Sequence, residues 1–232
     1  MFVPGGFGTG AGWKRVIKQL GDSYRFVTTS LLGYGATAER RPLVGATMAE
    51  QISALDFVFQ RIGAPVHVVA HSYGGLSALA HFLAGQHRAA SLTLIEANPL
   101  CILRTAGEQA LFDRFGAMTR VYFAEFAAGR SDAARHVIDF YGGAGTYVAL
   151  PNQVRDYIIA TTASNIRDWS SAASFDPPLA EYARIAAPTL VIRGGRSHPA
   201  MLRIAELIAA HVPGASLKTI DGGSHFLPAT PD

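Results

Sequence analysis

The chain has 232 residues, 49 % of them hydrophobic and 16 % charged, enough apolar material for one sizeable core plus an insertion. A net charge of +3, with no Lys/Arg-rich run and no aromatic-basic stripe, disfavours a nucleic-acid surface. Cys101 is the only cysteine, which excludes disulfides within the chain. No apolar run is long enough to span a bilayer and no secretory leader is visible, so a cytoplasmic protein without a membrane partner is the expectation, with the oligomeric state open.

In chain order, Met1-Phe2-Val3 enters Pro4-Gly5-Gly6-Phe7 as though a strand began halfway. Residues 24–31 are β-rich after a Gly21-Asp22 turn and predict a strand. Residues 48–62 have helical apolar spacing, with Gly63-Ala64-Pro65 as the stop. The run Val66-His67-Val68-Val69-Ala70-His71 then meets Ser72-Tyr73-Gly74-Gly75, and Leu76, Leu79, Ala80 and Leu83 follow at helical spacing. Residues 91–95 form another short apolar strand, ending at Glu96-Ala97-Asn98-Pro99.

The strand rhythm then stops for about ninety residues, too long for an ordinary connection in a compact domain. This stretch is helical in pattern and rich in aromatic residues, among them Phe115, Tyr122, Tyr147, Tyr157 and Trp169. Most of these are expected to form the segment's own small core. Strands resume at residues 187–192, a helix is expected over 199–211, and a last strand at 217–220 leads to Gly222-Gly223-Ser224-His225. Alternating strands and helices predict an α/β fold: a mostly parallel sheet flanked by helices, with ligands beyond the carboxyl ends of the strands. Ser72, Glu96 and His225 each follow such an end.

Ser72 carries the strongest local signal. A parallel strand that turns at once into a helix forces its corner residue into a strained conformation and tolerates only small neighbours two positions away, here Ala70 and Gly74. A serine so lifted above a sheet is a candidate nucleophile.

With Pro4-Gly5-Gly6-Phe7, Leu32-Gly33-Tyr34-Gly35-Ala36-Thr37, the Ser72 elbow, Leu190-Val191-Ile192-Arg193-Gly194 and Gly222-Gly223-Ser224-His225 in place, the chain resembles an α/β-hydrolase with a helical cap. The resemblance implies a core of residues 1–97 and 188–232 and a cap or lid of residues 98–187. It also implies that the fold's first two strands and final helix lie outside this sequence, which would leave a leader, and with it the localisation, open.

A serine hydroxyl needs a base, and the resemblance assigns that role to His225 on its glycine-rich loop. The third member departs from the family's commonest pattern. Where many relatives carry an aspartate, three residues after Gly194, this chain has Ser197, which supplies no charge. Some relatives place the acid after the strand that follows the nucleophile, and that position holds Glu96. Adjacent strands lie about 4.8 Å apart, a shift a glutamate can span. Asp221 is the rival acid. His198 is a relay or substrate candidate, against the plainer reading of a helix start with Ser197 as its cap and Pro199 in the first turn.

The oxyanion would take the amide of Tyr73 and, by the resemblance, that of Gly6, with Phe7 second. His71 is expected to pack beside the elbow, and His67, His81, His87, His136 and His211 show no partner pattern. No metal-ligand spacing is recognisable and the glycine-rich start lacks the ending of a phosphate-binding loop, so no metal and no cofactor are expected.

The function expected is a serine hydrolase that cleaves an ester, thioester or related acyl bond of a small apolar substrate through an acyl-enzyme. The alternatives are a ligand-binding pseudoenzyme of the same fold, which the absent aspartate at position 197 makes credible, and a C–C bond hydrolase or lyase with a similar triad.

Overall fold

The computed structural model describes residues 1–63, 65–85 and 89–229. Ala64, His87 and residues 230–232, to which some of the expectations above extend, lie outside the described residues. The sheet has five strands, β1 (Phe2–Val3), β2 (His67–His71), β3 (Ser91–Ile95), β4 (Thr189–Gly194) and β5 (Ser216–Ile220). They lie side by side in that order and every pairing is parallel.

The strand expected at residues 24–31 shrinks to a single parallel bridge, Thr28 beside Phe2, held by the Phe2 amide on the Val27 carbonyl and the Thr29 amide on the Phe2 carbonyl. Its neighbour β1 is two residues long, so a ladder against it has little to pair with. Tyr24, counted toward the apolar signal, is 61 % exposed.

Helices α1 (Lys14–Leu20), α2 (Ala49–Ile62), α3 (Tyr73–Leu83) and α9 (Pro199–His211) flank the sheet. Every residue of α3 is buried, because α2, β1, β2 and elements further along the chain surround it. This is the behaviour of a central helix rather than an amphipathic one. Truncating Leu76 or Leu79, both fully buried, would cost about 2–5 kcal/mol by leaving a cavity. At the start of α3 a Cβ on Gly74 would lie 2.2 Å from the Pro4 carbonyl oxygen, and one on Gly75 2.6 Å from the Ala97 Cβ. The helix can therefore seat against the ends of β1 and β3 only with glycine at both places.

Between β3 and β4 the chain is helical throughout its regular structure: α4 (Cys101–Thr105), α5 (Gln109–Ala127), α6 (Arg135–Gly142), α7 (Thr146–Ala149), α8 (Asn152–Ser174) and a short turn at Leu179–Arg184. As expected, part of its aromatic content is internal: Phe115 packs at 5.0 Å from Phe140 and 6.0 Å from Trp169. Tyr122 is fully buried. No helix among the described residues is long and apolar enough to cross a membrane.

Candidate active site

Three non-glycine residues have positive φ among the described residues, Phe7 at 59°, Ser72 at 52° and Glu96 at 49°. All three follow strand ends on one side of the sheet. Side chains held in this sparsely populated region cost of order 1–3 kcal/mol each and persist only where the surroundings dictate them. At Ser72 (ψ −125°) the corner between β2 and α3 imposes it, with the Ser72 amide donating to the Ile95 carbonyl at 2.9 Å.

The consequence is an unbroken chain of polar contacts. Ser72 Oγ lies 2.9 Å from His225 Nε2, and His225 Nδ1 lies 3.0 Å from Glu96 Oε2. Ser72, His225 and Glu96 are 7 %, 2 % and 2 % exposed. The second carboxylate oxygen, Oε1, accepts from the Gly194 amide and from Ser197 Oγ–H, both at 2.7 Å. Burial alone would raise the Glu96 carboxyl. The hydrogen bond and charge of His225, with the Gly194 and Ser197 donors, outweigh it and hold the group below its ordinary value.

Ser197 is therefore no helix cap, as the plainer sequence reading had it. Its hydroxyl is turned to Glu96, and the first turn of α9 is capped instead by His198 Nδ1, which accepts from the Ala200 amide at 3.2 Å. His198 stacks on Phe140 at 4.2 Å. Asp221 is exposed in the turn after β5, while His225 Nδ1 faces Glu96.

His71 packs beside the elbow as expected and also does more. Its Nε2 donates to the His225 carbonyl at 2.8 Å, which fixes the loop that carries His225. Burial and then the nearby charge of His225 lower its pKa to about 3, so it stays neutral. Among the other histidines, His67 bonds Ser91, His81 stacks on Phe59, His136 meets Glu125 and His211 bonds the Leu207 carbonyl. No cluster of metal-ligating side chains occurs among the described residues.

The Pro4–Gly8 loop lies directly over Ser72. A Cβ on Gly5 would come within 2.9 Å of the Ser72 Cβ, so glycine there is a condition of the close approach. The Gly8 amide donates back to the Gly5 carbonyl at 3.0 Å, closing a turn with Gly6 and Phe7 at its centre.

A cavity of about 450 Å3 opens from Ser72 and His225 under the helical segment. Trp13, Ile138, Leu150, Tyr157 and Trp169 make most of its wall apolar, and Asn98, Asn165 and Asp168 are among its polar points, with Thr9, Thr146 and His71.

A family model described as "Alpha/beta hydrolase family" matches residues 1–232. The chain belongs to that family. No curated protein matches it significantly in sequence. Among solved structures, this α/β-hydrolase superposes on olei00960, a hydrolase from Oleispira antarctica, with a TM-score of 0.76 at 13 % identity, covering 98 % of this chain and 84 % of that one. It superposes on MenH from S. aureus with a TM-score of 0.73 at 17 % identity (98 % and 86 % covered). For a thermophilic esterase from Thermogutta terrifontis the TM-score is 0.71 at 20 % identity (98 % and 82 % covered).

Two features of this α/β-hydrolase escaped sequence reasoning. Tyr141 on α6 stacks on the His225 ring, centroids 3.8 Å apart and planes 10° apart, with its hydroxyl accepting from Asn98 Nδ2 at 3.1 Å. Arg41 and Asp168, 127 positions apart, form a buried ion pair at 2.7 Å. Neither has a local pattern; one arginine of the Arg40-Arg41 pair in a loop and an aspartate in a helix face carry no signal until the chain is folded.

Proposed function

We propose that this protein is a serine hydrolase acting on an ester, thioester or related acyl bond of a small, largely apolar molecule. The observation that carries the reading is the continuous Ser72–His225–Glu96 hydrogen-bonded chain at one end of an apolar cavity. Ser72 Oγ attacks the carbonyl carbon as its proton passes to His225 Nε2. Glu96 holds His225 with Nδ1 protonated and stabilises the imidazolium formed. The leaving group departs with that proton, and water, deprotonated in turn by His225, resolves the acyl-enzyme.

The developing oxyanion takes the amides of Tyr73 and Gly6. Tyr73 opens α3, so its N–H has no partner within the helix, and the helix dipole adds to it. Of the two loop candidates, Gly6 is the first and Phe7 the second. Residues 98–187 act as a cap, whose apolar wall holds the acyl chain and excludes water.

The pseudoenzyme alternative rested on the missing aspartate at position 197. It loses that support because Ser197 bonds an acid, Glu96, that is itself bonded to the base.

The test is peptide mass spectrometry after fluorophosphonate treatment, with a thermal melt and Ser72→Ala as control. An adduct on Ser72 is expected. A cooperatively melting protein without an adduct would refute an activated serine. A panel of p-nitrophenyl esters should then show preference for uncharged acyl groups over anionic ones.

A further inference from the structure

Helix α8 presents a row of buried polar side chains to the core, and this row ends on both segments that carry the proposed oxyanion amides. Asn165 stands on the first. Tyr122 Oη–H donates to Asn165 Oδ1 at 3.1 Å, which turns Nδ2 toward the Gly5–Gly8 turn. There it reaches the Tyr34 hydroxyl at 3.4 Å and Asp168 Oδ2 at 3.5 Å. A Cβ on Gly6 would lie 2.7 Å from Asn165 Nδ2 and 3.3 Å from Asp168 Oδ2, so the loop is seated on α8 with no gap.

Ser171, two turns further along the same helix, stands on the second. Its own proton goes to main-chain carbonyls of α8 at 2.9 Å, so the Tyr73 hydroxyl donates to Ser171 Oγ at 2.6 Å. Between them Asp168 accepts from Tyr34 at 2.5 Å and from Arg41 Nη1 at 2.7 Å, and Arg41 Nη1 also reaches the Tyr73 hydroxyl at 3.2 Å.

We propose that α8 is a structural part of the oxyanion hole: Asn165, Asp168 and Ser171 are positioning residues that fix the Gly6 loop and the Tyr73 turn against each other, so the hole is complete only when the helical segment is docked. This rests on the serine-hydrolase reading above. The elbow conformation at Ser72 is costly and needs to be held, and the Tyr73 side chain, 4 % exposed and bonded at its far end, is a lever that holds it. A buried ion pair such as Arg41–Asp168 contributes little net stability, since desolvation offsets the attraction; what it adds here is a defined geometry. Burial pushes the Asp168 carboxyl up to about 7 against the pull of Arg41 and Tyr34. Arg41 is kept charged because Glu39 and Asp168 outweigh its own burial.

The experiment compares Asn165→Ala, Ser171→Ala, Ser171→Thr and Tyr34→Phe with the parent. Three readouts are taken: kcat and KM on a short ester, affinity for a trifluoromethyl ketone that adds to the serine and places an oxyanion, and affinity for the matching methyl ketone. Asn165→Ala and Ser171→Ala are expected to lower kcat at least about tenfold with KM changed less than about threefold. Trifluoromethyl ketone affinity should fall in step with kcat while methyl ketone affinity holds. Ser171→Thr, which keeps the hydroxyl, should restore most of the rate. Asp176→Ala removes the exposed contacts to Arg104 and Thr105 beyond the end of α8 and should leave kcat unchanged.

A rise in KM or a fall in melting temperature with kcat and ketone discrimination intact would overturn the proposal and leave α8 a packing element. Tyr34→Phe loses one hydroxyl only and tests the same discrimination should the alanine variants fail to fold. If the parent takes no fluorophosphonate on Ser72, the hydrolase reading itself fails, an outcome separate from a labelled parent with indifferent variants.

Discussion

Glu96→Gln is isosteric, yet it should be among the most damaging single changes in this protein. Two donors, the Gly194 amide and Ser197 Oγ–H, converge on Glu96 Oε1 at 2.7 Å each, while Oε2 faces His225 Nδ1. A glutamine must satisfy both donors with its carbonyl oxygen, which places its NH2 against Nδ1. A donor there selects the tautomer protonated on Nε2, the nitrogen that accepts the Ser72 proton in the proposed mechanism. The variant thus loses the carboxylate and also stabilises the wrong imidazole. A change of this kind costs about three to four orders of magnitude in acylation, or about 4–5 kcal/mol of transition-state stabilisation. Glu96→Ala removes the charge without imposing a tautomer, so it should be no worse than Glu96→Gln despite the cavity. The assay is the second-order rate of fluorophosphonate labelling and kcat/KM for a p-nitrophenyl ester, with melting temperatures alongside. A folded Glu96→Gln within tenfold of the parent would refute the reasoning and remove Glu96 from the proposed triad.

Three further outcomes follow from backbone and electrostatic features of the site. Because Ser72 sits at φ 52°, Ser72→Gly should melt higher than Ser72→Ala, by about 1 kcal/mol of relieved strain read in a denaturant titration; equal midpoints would show that the elbow is unstrained. Gly74→Ala places a Cβ 2.2 Å from the Pro4 carbonyl oxygen and should lose about 1–3 kcal/mol or more along with labelling, whereas an unchanged melting temperature would mean that the start of α3 shifts freely. His71 has a folded-state pKa of about 3, below that of the unfolded chain, so the unfolded state takes up the proton first. Its contribution to stability is present above about pH 6.5 and is lost as pH falls from there toward 3. His71→Gln should flatten the fall in melting temperature across pH 6.5 to 4; parallel curves for the two proteins would show that His71 titrates normally.

The sequence by itself determined the parts of this protein that depend on neighbours along the chain. Residues 91–95 and the 199–211 helix are legible because their apolar spacing and flanking breakers are local. The Ser72 corner is legible because a strand that turns at once into a helix admits only small neighbours, and that steric rule is written in Ala70 and Gly74. Glu96 could be singled out as the acid candidate because the family resemblance points to the end of the strand after the nucleophile, and a strand end is a position in sequence; that its carboxylate meets His225 is visible only in the fold. The β-rich residues 24–31 form only one bridge for the converse reason: pairing depends on the length of β1 beside them, which no local propensity records.

Tertiary structure alone decided what touches what across the chain. Ser197 reads as a helix cap until Glu96, 101 positions earlier, is brought to its hydroxyl. Tyr141 is one aromatic among many until α6 lays it on His225. Arg41, Asp168 and Ser171 show no pattern at all until α8 is laid against the Gly5–Gly8 loop, because a buried polar network is a set of distances between remote residues and has no period for a sequence to show.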